Sequence, residues 1–183
     1  MNKIKSSHRG FTLAEVLVTL AIIAVMAAVL LPALNQQLSK GDAGRTSSDL
    51  TNIQSAAQAF VSDVHRYPAT LTQLSTAVGT NGLNADGTTT AIPAGLLLKW
   101  KGPYLTRDVA TTGGGATIST SFSVVSSTNA YLTISVTNVD RNDFANLEAT
   151  LDEGTASSTS STLGVIRYSS ASSILTFLAL PIQ

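Results

Sequence analysis

The sequence predicts an α+β fold in which one long N-terminal helix packs on a C-terminal antiparallel sheet of about four strands. Three observations predict it. Between Phe11 and Leu34 the chain is apolar and carries a single charge, Glu15. Beyond Pro32, the residues Leu50, Ile53, Ala57, Phe60 or Val61, and Val64 recur at spacings of three and four, as one face of a helix requires. After residue 115 the period changes to two: Ile118, Thr120, Phe122 and Val124 alternate with serines, and Leu132, Ile134 and Val136 alternate with Thr133 and Ser135.

At 183 residues the chain has room for one anchor and one modest globular domain. Its eleven Lys and Arg balance its eleven Asp and Glu, but unevenly. Lys3, Lys5 and Arg9 precede Phe11, so the remainder holds eight basic against eleven acidic side chains, a net of −3. That charge excludes a basic nucleic-acid surface. With no cysteine, disulfides, thiol catalysis and cysteine metal sites are excluded too.

Residues 1–34 admit three readings. A secretory signal peptide has an apolar core of roughly 7–15 residues and a small-residue exit; here the run is longer and ends Leu31-Pro32-Ala33-Leu34. A plain signal anchor fits the length, since about 20 residues span a bilayer core, but leaves Glu15 unexplained. An acidic group at the centre of a membrane helix costs roughly 2.5–3.5 kcal/mol on insertion scales, less near its end. The third reading is a class III leader, in which residues 1–10 are cut off on the cytoplasmic side and the apolar segment stays.

The residues Gly10-Phe11-Thr12-Leu13-Ala14-Glu15 favour the third. They resemble the prepilin peptidase motif of type IV pilins and type II secretion pseudopilins, and the run from Val16 to Val25 is typical of that family as well. The resemblance implies a pilin-like fold, cleavage between Gly10 and Phe11, and N-methylation of the new terminus at Phe11. It makes Glu15 the family's buried glutamate and Pro32 its helix-kinking proline. Lys3, Lys5 and Arg9 hold the leader in the cytoplasm by the positive-inside tendency. In an assembled bundle Glu15 could pair with the Phe11 ammonium of a neighbouring copy, which offsets both desolvation costs only in the right register. The plainer alternative is that Glu15 snorkels to the interface. Pro32 removes a helical hydrogen bond; it is either a point where the stalk loosens within a filament or a mark of the exit from the bilayer.

The helix is expected from Phe11 to about Val64, interrupted near Gly41 to Gly44 and ended by Tyr67-Pro68. The implied divisions are a leader (residues 1–10), a membrane and polymerisation helix (11–34), an amphipathic half (35–65), a connecting loop region (66–115) and a sheet head (116–183). The connector is dense in turn formers, among them Asn81-Gly82, Asp86-Gly87 and Gly102-Pro103. Its Trp100-Lys-Gly-Pro-Tyr104-Leu105 stretch resembles the segment after the long helix in major pseudopilins; equally, Trp100, Tyr104 and Leu105 simply cover the helix face. A hairpin turn is expected at residues 126–129. A short helix over 142–151 follows, with Asn142 as its cap, and then strands over 165–169 and 174–180. The polar stretch 154–162 reads as a surface loop, open to glycosylation.

Catalytic chemistry finds little support. His65 is the lone histidine after the leader, and Gly113-Gly-Gly115 lacks the Lys of a phosphate loop. Asp140-Arg-Asn142-Asp143 begins like a calcium loop, but Phe144 follows where an EF-hand needs a ligand. Asp140, Asp143, Asp152 and Glu153 remain calcium candidates from separate turns, beside their plainer reading as capping or solvated acids. No other cofactor is expected, and no catalytic residue. Two functions remain. One is a structural subunit that polymerises through its helix, with other pilins or pseudopilins, a prepilin peptidase and inner-membrane assembly machinery as partners. The other is a membrane-tethered binding module or enzyme. The expected location of the first is the bacterial inner membrane, as a single-pass precursor with a periplasmic head, and then an extracellular pilus or a periplasmic pseudopilus. The Ser/Thr-rich sheet places the pilus slightly ahead; the absent cysteines and the Trp100 segment point to the pseudopilus.

Overall fold

The computed structural model describes residues 10–77, 81–106, 115–126, 129–152 and 164–182. Most of the leader, Glu153, the loop over 154–162 and the centre of the 126–129 turn lie outside them. The chain divides into two units, residues 1–38 and 39–183. Helix α1, Leu13–Val64, contributes to both.

In the first unit α1 is apolar on every side. Its mean hydropathy reaches 2.8 over 18 residues, which by length and composition suffices to cross a membrane. Leu17, Leu20, Ile23, Met26, Leu30 and Leu31 are all exposed, whereas a soluble helix buries such residues along one stripe. Pro32 lies inside α1, which continues past it. With no N–H to give, Pro32 leaves the Ala28 carbonyl without its helical donor.

In the second unit the amphipathic pattern does what its spacing predicts. Leu50, Ile53, Ala57, Phe60 and Val64 are buried in one core with the inward residues of the sheet. Gly41 and Gly44 do not interrupt the helix; both are helical, and Ala43 between them is buried. His65, at φ 55°, ends it in the left-handed conformation, its N–H donating to the Val61 carbonyl at 2.9 Å.

The connector is more structured than a loop region. It holds β1 (Tyr67–Pro68), α2 (Thr72–Ser75), β2 (Asn81–Leu83), β3 (Thr89–Ala91) and α3 (Ala94–Leu97). The three strands form an antiparallel sheet in chain order. The buried Gln73 organises it: its Oε1 accepts from the N–H of Ala69 at 2.7 Å and of Thr70 at 3.3 Å, and its Nε2 donates to the Asn81 carbonyl. Trp100 donates from Nε1 to the Gln73 carbonyl at 3.0 Å. Only a glycine fits below that indole, since a Cβ on Gly102 would stand 2.4 Å from a ring carbon.

Tyr104 fastens this segment to α1. Its ring meets Phe60 and Trp100 edge-on, at centroid separations of 5.9 and 5.6 Å. Its hydroxyl donates to Asp63 Oδ2 at 2.9 Å, and Lys101 Nζ reaches Asp63 Oδ1 at 3.1 Å. First the Tyr104 hydroxyl and then the Lys101 ammonium hold the Asp63 carboxyl below its ordinary 3.8. A depressed acid stabilises the fold above its unfolded value and loses that contribution as pH falls through the lowered one. Asp63→Asn is therefore expected to lower thermal stability in the neutral range and to flatten the acid limb below pH 3.8. A scan of unfolding midpoint against pH checks this; an acid limb as steep as that of the parent contradicts it.

The main sheet contains β4 (Thr117–Ser126), β5 (Ala130–Thr137), β6 (Ile166–Ser169) and β7 (Ile174–Pro181), all antiparallel, in the order β4-β5-β7-β6. Leu132, Ile134, Val136, Leu175 and Phe177 point inward, as alternation predicts. Thr120 does not join them. The register runs from Ile118↔Val136 to Phe122↔Ile134, so β4 spends four residues where β5 spends two, and Thr120 faces solvent. There Leu71 donates to the Thr120 carbonyl and Phe122 to the Ala69 carbonyl, each at 2.9 Å, so the connector covers part of the edge. Between β5 and β6 lies α4, Arg141–Leu151. Its N-cap is Asp140 rather than Asn142, which sits within the first turn. Phe144 and Leu147 bury on the core side, and Phe144 stacks on Tyr168 at 4.7 Å.

Candidate functional site

The distinctive chemistry lies at the start of α1. Gly10 and Phe11 precede the helix, and Phe11 is 86% exposed. Thr12 stands at the helix entry and Glu15 three residues on. The Thr12 N–H and its hydroxyl both donate to Glu15 Oε2 at 2.8 Å, and the Glu15 N–H donates back to Thr12 Oγ1 at 3.3 Å. This is a reciprocal capping box, which satisfies two otherwise unpaired helix-entry donors. The acid also stands where the partial positive charge of the helix terminus favours an anion. Within a single chain the carboxylate of Glu15 therefore already has partners, and both belong to Thr12.

Thr12 is the residue that sequence reasoning passed over. Its signal was legible: threonine, two residues, then glutamate, directly before an apolar helical run. The same six residues carry the processing motif, and that reading drew attention to Gly10, Phe11 and Glu15 instead.

The calcium candidates do not converge. Asp140 occupies the N-cap of α4, Asp143 Oδ1 accepts from the Ser39 hydroxyl, and Asp152 accepts the N–H groups of Val165 and Ile166. Among the described residues no three acids or histidines gather as a metal site. Glu153 lies outside the described residues.

Comparison with known proteins bears on the same segment. The model of the prokaryotic N-terminal methylation motif matches residues 5–31. The type II secretion system core protein G of Pectobacterium carotovorum is 36% identical over 63 residues, which are 34% of this chain and 40% of that protein. Its namesake in Klebsiella michiganensis is 35% identical over 66 residues, 36% of this chain and 46% of the relative. The Escherichia coli K12 protein of that name is 36% identical over 63 residues, 34% and 43% of the two chains. The matches span less than half the length of these curated relatives. No solved structure matches significantly.

Long helix and antiparallel sheet give a pilin-like layout, with the methylation motif at its start. The N-terminal segment resembles that of the type IV pilin and pseudopilin family. Within that family the relatives back the pseudopilin reading above the pilus reading that the Ser/Thr-rich sheet had placed first.

Proposed function

We propose that this chain is a structural subunit of a pseudopilus-type filament in a type II secretion system. It is made as an inner-membrane precursor with its head in the periplasm, cut between Gly10 and Phe11 by a prepilin peptidase, methylated at Phe11, and assembled through its N-terminal helix. Its partners are further copies, other pseudopilins and the inner-membrane assembly machinery. The observation that carries the reading is the methylation motif over residues 5–31, which takes in the start of an exposed apolar helix and its one carboxylate. A helix whose whole circumference is apolar has to be covered by lipid or by its own kind. Moving from lipid into a helical bundle lets Glu15 exchange the Thr12 donors for the free Phe11 ammonium of a neighbour, a charge-assisted partner.

The type IV pilus remains the second reading, resting on the Ser/Thr-rich head. The two differ in phenotype: loss of the pseudopilin stops export of secreted proteins, whereas loss of the pilin removes surface fibres. The processing step has its own test. Mass analysis of the N-terminus of membrane-extracted protein is expected to find the chain beginning at Phe11 with one methyl group. An intact Met1, or a cut near Ala33, rules the proposal out.

A further inference from the structure

The head contains a buried carboxyl for which polymerisation has no use. Glu148, on α4, is 4% exposed, and its Oε1 has no hydrogen-bond partner. One helical turn later stands Asp152, whose Oδ1 accepts the Val165 N–H at 2.9 Å and whose Oδ2 accepts the Ile166 N–H at 3.2 Å. This carboxylate clamps the end of α4 to the start of β6. Gly164 makes room for it: at φ +88°, its position would place a Cβ 2.3 Å from Asp152 Oδ2. Residues four apart share a helix face, so the clamp has a second acid for a neighbour.

Among the described residues, no cation on the elements packed on α4 pairs with that acid. Strand β6 carries Arg167 and Tyr168, and the Tyr168 hydroxyl donates to the Val139 carbonyl at 3.0 Å. The stretch of α1 joined to α4 through Ser39 and Asp143 carries Lys40, Asp42, Arg45 and Asp49. Strands β5 and β7 contribute only Tyr131. Among the described residues, the ion pair present is Lys101–Asp63, on another part of the head. Burial first, and the charge of Asp152 second, push the Glu148 carboxyl above its ordinary 4.5.

We propose that Glu148 is a proton-operated release for the clamp between α4 and β6. Neutral, it leaves Asp152 seated on Val165 and Ile166. Ionised, it is an uncompensated buried anion one turn from a second anion, and it loosens the turn that both share. A group that holds its proton more tightly in the fold than in the open chain supports the fold most at low pH, and that support is lost as pH rises. The clamp is therefore firmest below 4.5 and weakens through the raised value.

Hydrogen exchange of the full chain in detergent micelles, read at residues 164–169 and corrected for intrinsic exchange, tests this. Protection of Val165 and Ile166 is expected to fall by up to about tenfold per pH unit above 4.5 until Glu148 is ionised. Glu148→Gln should keep the protection high and remove the slope. Asp152→Asn should lower protection at every pH and make the slope shallower without removing it, since burial remains. Flat protection in the parent chain, or an unchanged slope in either variant, overturns the proposal. The parent profile paired with Asp152→Asn decides the matter even if Glu148→Gln fails to fold.

Discussion

Glu15→Ala is expected to abolish filament assembly and to leave the subunit inserted and its head folded. The head outcome follows from position, since Glu15 belongs to the first unit and contributes nothing to the core of residues 39–183. The assembly outcome has two physical sources that must be separated. Alanine removes the Glu15 half of the capping box and keeps the N–H of residue 15 on Thr12 Oγ1, a smaller loss than the roughly 0.5–2 kcal/mol of deleting the N-cap itself. It also leaves the neighbouring Phe11 ammonium without a carboxylate, and breaking a buried pair by deleting one partner costs about 3–5 kcal/mol. At 1.4 kcal/mol per tenfold, the second loss weakens each contact roughly a hundredfold or more and dominates.

Glu15→Gln tells the two apart. Glutamine still serves as a capping-box acceptor, yet it brings no charge to a neighbouring amine. If the pair between copies drives assembly, Glu15→Gln fails as Glu15→Ala does. Thr12→Ala, which spares the charge and removes the hydroxyl donor while keeping the backbone N–H, assembles better than either. Fibres from detergent-purified protein, counted by electron microscopy after co-expression with the assembly machinery, give the readout. Ordered fibres from Glu15→Ala in parental amounts would falsify the ion-pair account, and recovery by glutamine would reassign Glu15 to helix entry alone.

The parts of this molecule legible in the sequence are those where one physical signal dominates. A continuous apolar stretch leaves few options for residues 13–34, and regular spacing from Leu50 to Val64 leaves few for the rest of α1. Strands β5 and β7 follow from alternation because their core face is unbroken. What stayed hidden depends on contacts between distant residues. Strands β1 to β3 are two or three residues long and take their order from the side chain of Gln73, a residue type that reads as surface. The offset in β4 lies among serines and threonines, which lack the hydrophobic contrast that would have marked the slip. Glu148 shows a third kind of miss. It falls in phase with Phe144 and Leu147 on the buried face of α4, a periodicity that was available within the expected helix; the search for calcium ligands directed attention to Asp140, Asp143 and Asp152 instead.

Phe144→Ala is expected to cause the largest loss of head stability. The side chain is 0% exposed and stacks on Tyr168 with ring planes 13° apart. Removing a buried phenylalanine costs about 3–5 kcal/mol through lost transfer energy and the cavity left behind. A domain is stabilised by only about 5–15 kcal/mol in all, so this one substitution consumes a third or more of a mid-range value. The damage extends to Tyr168, which loses the ring it stacks on and keeps its hydrogen bond to the Val139 carbonyl. Tyr168→Phe, which deletes that bond alone, is expected to cost about 1 kcal/mol, and this sets the scale for a polar defect in the same spot. Denaturant unfolding of the full chain in detergent, followed by near-ultraviolet circular dichroism, measures both. Since the processing motif lies in the other unit, Phe144→Ala should still be cut at Gly10 and methylated while its head unfolds readily. A loss below about 1 kcal/mol for Phe144→Ala would mean that α4 is not part of the cooperative core.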